Sequence, residues 1–195
     1  MKTIYHYLLL PALLFSLAAC NNDDEEPYVP GPYSWDFGYT RGKLNGKEFS
    51  LQNEGGQIGR HIPFAGSIFT NYGKGQTSYG TNIPITKGQD GPNNKGMVYG
   101  FSVHIAPVEC GDFDVVSPVP DIFNNCDICF WDERNGNDKK TYKALKQPLK
   151  LHISRAESMG YVSIPFIEGV MNGILYNTEN LNDSIIVENV EFGVH

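Results

Sequence analysis

The sequence has little of the material from which helices are built. Long runs of Ala, Leu, Glu and Lys are absent, while glycine and proline together make 21 + 12 = 33 of the 195 residues. That balance argues against a helical bundle and favours short strands joined by many turns. Positive charge is scarce as well, with 15 Lys and Arg against 22 Asp and Glu. Such a surface argues against a nucleic-acid partner, whose phosphates need a basic patch, and against electrostatic docking on anionic lipid. No G-x-S-x-G elbow, H-E-x-x-H helix or glycine-rich phosphate loop occurs. The motifs therefore assign no catalytic residue, no metal ligand and no cofactor. The one long apolar run, near the amino terminus, falls short of the roughly 18–20 residues that cross a bilayer.

That run has the shape of an export signal. Lys2 supplies the positive start, "YLLLPALLFSLAA" the apolar core, and small residues close it ahead of Cys20. Leu17-Ala18-Ala19-Cys20 resembles the bacterial lipobox. The resemblance implies removal of residues 1–19 and lipidation of Cys20. Each buried methylene contributes about 0.8 kcal/mol, and one acyl chain binds only marginally, so two or three chains would make attachment effectively permanent. Residues 20–36 then read as a tether: the acids Asp23 to Glu26 repel one another, and Pro30 and Pro32 stiffen the chain into an extended form. An acidic run directly after the lipidated cysteine resembles the surface-export tag of Bacteroidota lipoproteins. This implies lipid anchoring in the outer membrane with the domain exposed at the cell surface; a solvated linker facing the periplasm is the runner-up.

Loss of residues 1–19 leaves 195 − 19 = 176 residues, and residues 37–195 form one domain of ordinary size. The clearest strand is "MVYGFSVHI", with Met97, Tyr99, Phe101, Val103 and Ile105 on one parity. "LKLHIS" alternates likewise through Leu149, Leu151 and Ile153. In "SIIVENVEFGV" the parity changes between Val187 and Val190, which predicts a bulge near Glu188-Asn189. Asn45-Gly46 predicts a tight hairpin turn; Asn172-Gly173 reads as another, with a bulge as the alternative. Pro165 points to an edge strand because it lacks a ladder donor. The stretch from Gly73 to Lys95 reads as long loops or a mobile arm, holding at most the strand "TNIPI". One short helix is expected around "DKKTYKALK", stopped by Pro148. The expected fold is all-β: a single antiparallel domain, either a β-sandwich or a partly open barrel.

"GYTRGKLNGKEFSLQN" and "GVMNGILYNTENLNDSIIVENVEFGVH" resemble the opening and closing segments of small surface lipoproteins from Bacteroides-type bacteria, a family of unknown function. The resemblance implies a β-rich domain at the cell surface and transfers no catalytic residue.

With Cys20 lipidated, Cys110, Cys126 and Cys129 remain. In an oxidising compartment a disulfide from Cys110 to Cys126 or Cys129 is expected, closing the loop "GDFDVVSPVPDIFNN". Cys126-x-x-Cys129 lacks the βαβ setting of a redox pair. A zinc site would need His104 or His152, both of which alternate with apolar residues as solvent-face strand positions do. "DERNGND" fails the calcium-loop spacing and reads as a hairpin turn at Asn135-Gly136. Trp131, with Tyr72, Tyr79 and Tyr161, could present flat faces for sugar stacking, unless Trp131 packs in the core. Glu168, Asp112 and Asp114 are acids without a motif around them. The expected function is a non-enzymatic binding or accessory module for glycan or an outer-membrane protein. A structural subunit of a surface assembly and a hydrolase with an unrecognised site are the alternatives.

Overall fold

Alternating residues and frequent turns produce eleven strands and no helix among the described residues, which are 38–53, 64–71, 74–86, 99–134, 139–159 and 162–194 of a computed structural model. The strands are β1 (Gly38–Leu44), β2 (Lys47–Asn53), β3 (Ala65–Asn71), β4 (Gln76–Pro84), β5 (Tyr99–Ile105), β6 (Gly111–Val115), β7 (Asp127–Asp132), β8 (Lys140–Lys143), β9 (Leu149–Met159), β10 (Val162–Asn177) and β11 (Ser184–Val194). They form one sheet in the order β2-β1-β11-β10-β8-β7-β5-β4-β3, with β9 pairing β10 beside β8 and β6 pairing β9. Every pairing is antiparallel.

The sheet curls so that β3 and β4 come back against β10 and β11. Of the two expected architectures this is the partly open barrel. One apolar core fills it, built from the inward parity of each strand: Phe101, Val103 and Ile105 from β5, Ile128 and Phe130 from β7, Leu149, Leu151 and Ile153 from β9.

Local chemistry accounts for several elements directly. Asn45 and Gly46 take φ of 50° and 74°, the paired positive values of the turn that suits a right-twisted hairpin, and join β1 to β2. Between Val187 and Val190, β11 advances three residues while β10 advances two, from Met171 to Gly173. The extra residue restores the inward parity, and Ile185, Val187, Val190, Phe192 and Val194 are all buried. Asn189 in this bulge has φ 47°, and its N–H donates to Asn172 Oδ1 at 2.7 Å.

Four expectations need correction. Asn172-Gly173 is not a turn, since β10 continues through it; the bulge alternative holds, because the register with β11 shifts between Met171 and Gly173, with the extra residue on β11 and Asn172 capping it. The segment expected to be helical contains β8, because Tyr142 is worth more in the core against Phe130 than on a short exposed helix. The stretch read as loops contains the nine-residue β4, whose Tyr79, Thr81 and Ile83 point inward despite their glycine- and serine-rich surroundings. Pro165 lies in β10, which is central to the sheet, but the register with β9 slips between Val162 and Phe166, so no ladder bond is asked of it. The expected turn at Asn135-Gly136 lies outside the described residues.

The sheet passes from β10 to β8 through only two paired positions, Tyr176 with Lys143 and Asn177 with Tyr142. Asp183 reinforces this narrow join. Its Oδ2 accepts from Asn177 Nδ2 at 3.0 Å, from the Tyr142 hydroxyl at 3.1 Å and from Lys140 Nζ at 3.3 Å. The Asn177 amide first, then Tyr142 and Lys140, hold the Asp183 carboxyl below the usual carboxylate range. Burial and, after it, the bond to Asp183 push the Tyr142 phenol up to about 12. A carboxyl lowered by folding stabilises the fold above its unfolded value of about 4 and loses that contribution as pH falls through the folded value. Urea midpoints measured downward from about pH 6 should therefore fall below about pH 4, and less steeply in Asp183→Asn. An unchanged acid limb in that variant would remove Asp183 from the account.

Candidate functional site

The outer face of the curled sheet carries the polar side chains, and two aromatic residues on it stand opposite glycine. Trp131 in β7 pairs with Gly100 of β5 on one side and Thr141 of β8 on the other. It is partly exposed rather than packed in the core, with Lys139 Nζ 6.0 Å from its ring. The adjacent row on the same face is Asn82, Ser102, Cys129 and Lys143. Beyond it Asp127 accepts from Lys143 Nζ at 3.0 Å and from Ser117 Oγ at 2.9 Å. The other stacking candidates do not join Trp131. Tyr79 is wholly buried on the inner parity of β4, its hydroxyl beside Thr81, and burial drives its pKa upward. It belongs to the core because inward parity overrides the polarity of its neighbours. Tyr72 and Tyr161 lie outside the described residues, as does Cys20.

The expected disulfide is not formed: Cys110, Cys126 and Cys129 are all free thiols. Cys110 is exposed whereas Cys126 is buried, which separates the first of the two expected pairs. Cys126 shares the inward parity of Ile128 and Phe130 and is buried, with its thiol 3.8 Å from the Ala106 carbonyl oxygen. Cys129, three residues on, points to the outer face, and Cys110 is exposed ahead of β6. Extended chain places odd separations on opposite sides. Burial raises the thiol pKa of both Cys126 and Cys129, so neither has the thiolate character of a reactive cysteine. Native-state alkylation should label Cys110 promptly and Cys126 only on unfolding. A Cys110–Cys126 peptide recovered by non-reducing mass spectrometry would contradict this.

The second aromatic is Tyr39, which lies opposite Gly193 of β11. A Cβ placed on Gly193 would fall 2.3 Å from the Tyr39 ring, so the ring rests directly on the β11 backbone. It extends beyond β11 to β10, where its hydroxyl donates to Glu168 Oε1 at 3.1 Å. Glu168 pairs across to Arg155 of β9, whose guanidinium lies 3.8 Å away, and Tyr39 pairs on its other side with Gln52 of β2. One cross-strand row thus runs Gln52, Tyr39, Gly193, Glu168, Arg155. In the next row Arg41 donates from Nε to Glu191 Oε2 at 2.7 Å, and Ser50 stands opposite Arg41. Tyr39, Arg41, Ser50 and Gln52, with Thr40 and Leu51 between them, line a shallow groove of about 170 Å³. Burial first, then Glu168, push the Tyr39 phenol up to about 12, so it is a neutral donor at any physiological pH.

Sequence reading missed Tyr39, although the signal was present. In "GYTRGKL" Tyr39, Arg41 and Lys43 share one parity, and Gly193 interrupts an otherwise bulky strand. What could not be read was that the first and last strands are neighbours.

The acids singled out are engaged separately. Asp112 meets His152 Nδ1 at 2.8 Å, Asp114 meets Lys150 Nζ at 2.6 Å, and Glu168 serves Tyr39. His104 Nε2 lies 2.5 Å from the Ile122 carbonyl oxygen, so it ties the β6–β7 loop to the sheet. Every described carboxyl whose pKa is displaced, at Asp121, Asp132, Glu157 and Asp183, is displaced downward. That is the direction of a permanently ionised acid and not of a general acid poised near neutrality. Among the described residues no three His, Cys, Asp or Glu gather as metal ligands do.

Comparison with known families returns a match over residues 37–195 to "Domain of unknown function (DUF5025)". The chain belongs to this family. The match spans the middle of the chain as well as the two end segments that suggested a family, and its description assigns no activity from which a site residue could be transferred. No curated protein and no solved structure matches the chain.

Proposed function

We propose that this family member is a lipoprotein anchored at Cys20 in the outer membrane, and that its β domain is a non-enzymatic binding module for glycan at the cell surface. Support for the anchor comes from the lipobox-like Leu17-Ala18-Ala19-Cys20 and the acidic tether. Support for glycan rests on one observation, the placement of Trp131 on the outer face opposite Gly100. Tryptophan is ordinarily among the most buried residues, and a glycine has no side chain with which to cover its ring. A flat apolar ring with Lys139 near it, Thr141 across from it and Ser102 and Lys143 in the next row suits a sugar, whose C–H face stacks while its hydroxyls bond outward.

The full-length protein in detergent, applied to a glycan array, is expected to bind a subset of polysaccharides and to lose most of that binding as Trp131→Ala. A blank array would remove the reading. The mature protein is expected to begin at a lipid-modified Cys20; a product starting at Met1 would overturn the anchor.

The second reading is a structural subunit that takes up a partner by strand addition. It is favoured by β3, which ends the described sheet, carries no charged residue and leaves Phe69 48% exposed. The other terminal strands, β2 and β6, carry Lys47 and Glu48 or Asp112 and Asp114.

A further inference from the structure

The groove over β1 and β2 has a composition that fits one kind of ligand. Its floor is a Tyr39 ring seated on Gly193, with one face against the backbone, so the ring is held flat at no cost to a ligand. Its phenolic hydroxyl is already committed to Glu168, which fixes the orientation of the ring. Around it stand donors and acceptors together: Arg41, Ser50 and Gln52 on β1 and β2, Glu191 and Glu168 beyond. Among the described strands none lies beyond β2 on that side.

Charge decides between ligands. Arg41 is paired with Glu191, and Arg155 with Glu157 at 2.8 Å and with Glu168. Lys43 is paired with Glu48 at 3.1 Å, so among the described residues beside the groove no cation is in surplus to hold a phosphate, sulfate or uronate. The Arg41–Glu191 pair is exposed, with the Arg41 side chain at 63%, and exposed pairs contribute little. Their arms can turn to vicinal hydroxyls with little loss, because a diol donates and accepts at adjacent atoms just as the pair does.

We infer that the Tyr39 groove is a second carbohydrate subsite, on different strands from Trp131, that takes a single neutral pyranose ring with its C–H face on Tyr39 and adjacent hydroxyls on Arg41, Gln52 and Glu191. The inference rests on the carbohydrate reading above. A groove of about 170 Å³ has room for one ring.

Affinity electrophoresis of the full-length protein in detergent tests this, with gels containing a neutral glucan, mannan or galactan, or polygalacturonate as the acidic probe. Wild type is expected to be retarded by at least one neutral polysaccharide and not by polygalacturonate. Tyr39→Ala should weaken that retardation about tenfold. Tyr39→Phe, which keeps the ring and loses only the Glu168 bond, should keep most of it. Gln52→Ala, on the exposed edge strand, leaves the fold intact and should weaken it severalfold, which guards against a misfolded Tyr39 variant. Retardation abolished by Trp131→Ala but untouched by Tyr39→Ala and Gln52→Ala would overturn the subsite while leaving the carbohydrate reading standing. Retardation by polygalacturonate alone would overturn the neutral class. No retardation by any probe would overturn both.

Discussion

Phe130→Ala should lower the stability of the fold by about 3–5 kcal/mol, the range for emptying a buried aromatic site. Phe130 is wholly buried at the middle of β7 and makes three edge-on ring contacts: with Tyr99 at 4.9 Å, Phe101 at 5.0 Å and Tyr142 at 5.9 Å between centroids. These partners come from the strands on both sides, β5 and β8, and β8 is the strand that makes the narrow join to β10. The two-residue join between β8 and β10 cannot relax to fill the space without losing its own pairing. Urea unfolding should show a large fall in the midpoint with an unchanged slope. A loss below about 1 kcal/mol would mean that the curled sheet does not enclose a packed core around this ring.

Gly42→Ala should be nearly as severe, on the order of 3 kcal/mol, although it adds one methyl group. Gly42 has φ 154°, and a Cβ there would lie 2.7 Å from both the Asn189 carbonyl oxygen and the Val190 Cα. Those atoms belong to the backbone of the β11 bulge, which cannot give way as the end of a side chain could. The bulge is held in turn by Asn172 and sets the parity of Val190, Phe192 and Val194. Gly46→Ala is the control. Its φ of 74° is strained for alanine, but nothing lies within 4 Å, so only the backbone term of about 1 kcal/mol remains. Thermal or urea unfolding of the two variants side by side separates steric conflict from conformational strain. Equal effects would show that the bulge does not press on Gly42.

Much of this arrangement was legible residue by residue. Parity in "YGFSVHI" marked the buried side of β5, the break in parity within "SIIVENVEF" marked the bulge, and Asn45-Gly46 marked the first turn. Each is a local signal, decided by the two-residue period of a strand or by the φ values that Asn and Gly accept. The misreadings were local signals too. "TYKALK" has good helix propensity and Asn172-Gly173 has good turn propensity, but both were overruled by partners far along the chain.

The chain's own order of residues settled that the fold would be all-β and where its clearest buried faces lie. Which strands became neighbours was left to the folded molecule: β1 against β11, β10 shared between β9 and β8, and Tyr39 laid on a glycine 154 positions away. Hydrogen-bond geometry and side-chain parity act between adjacent residues and so can be read in line. The pairing of distant strands depends on how every apolar face can be covered at once, and no short stretch of sequence carries that information.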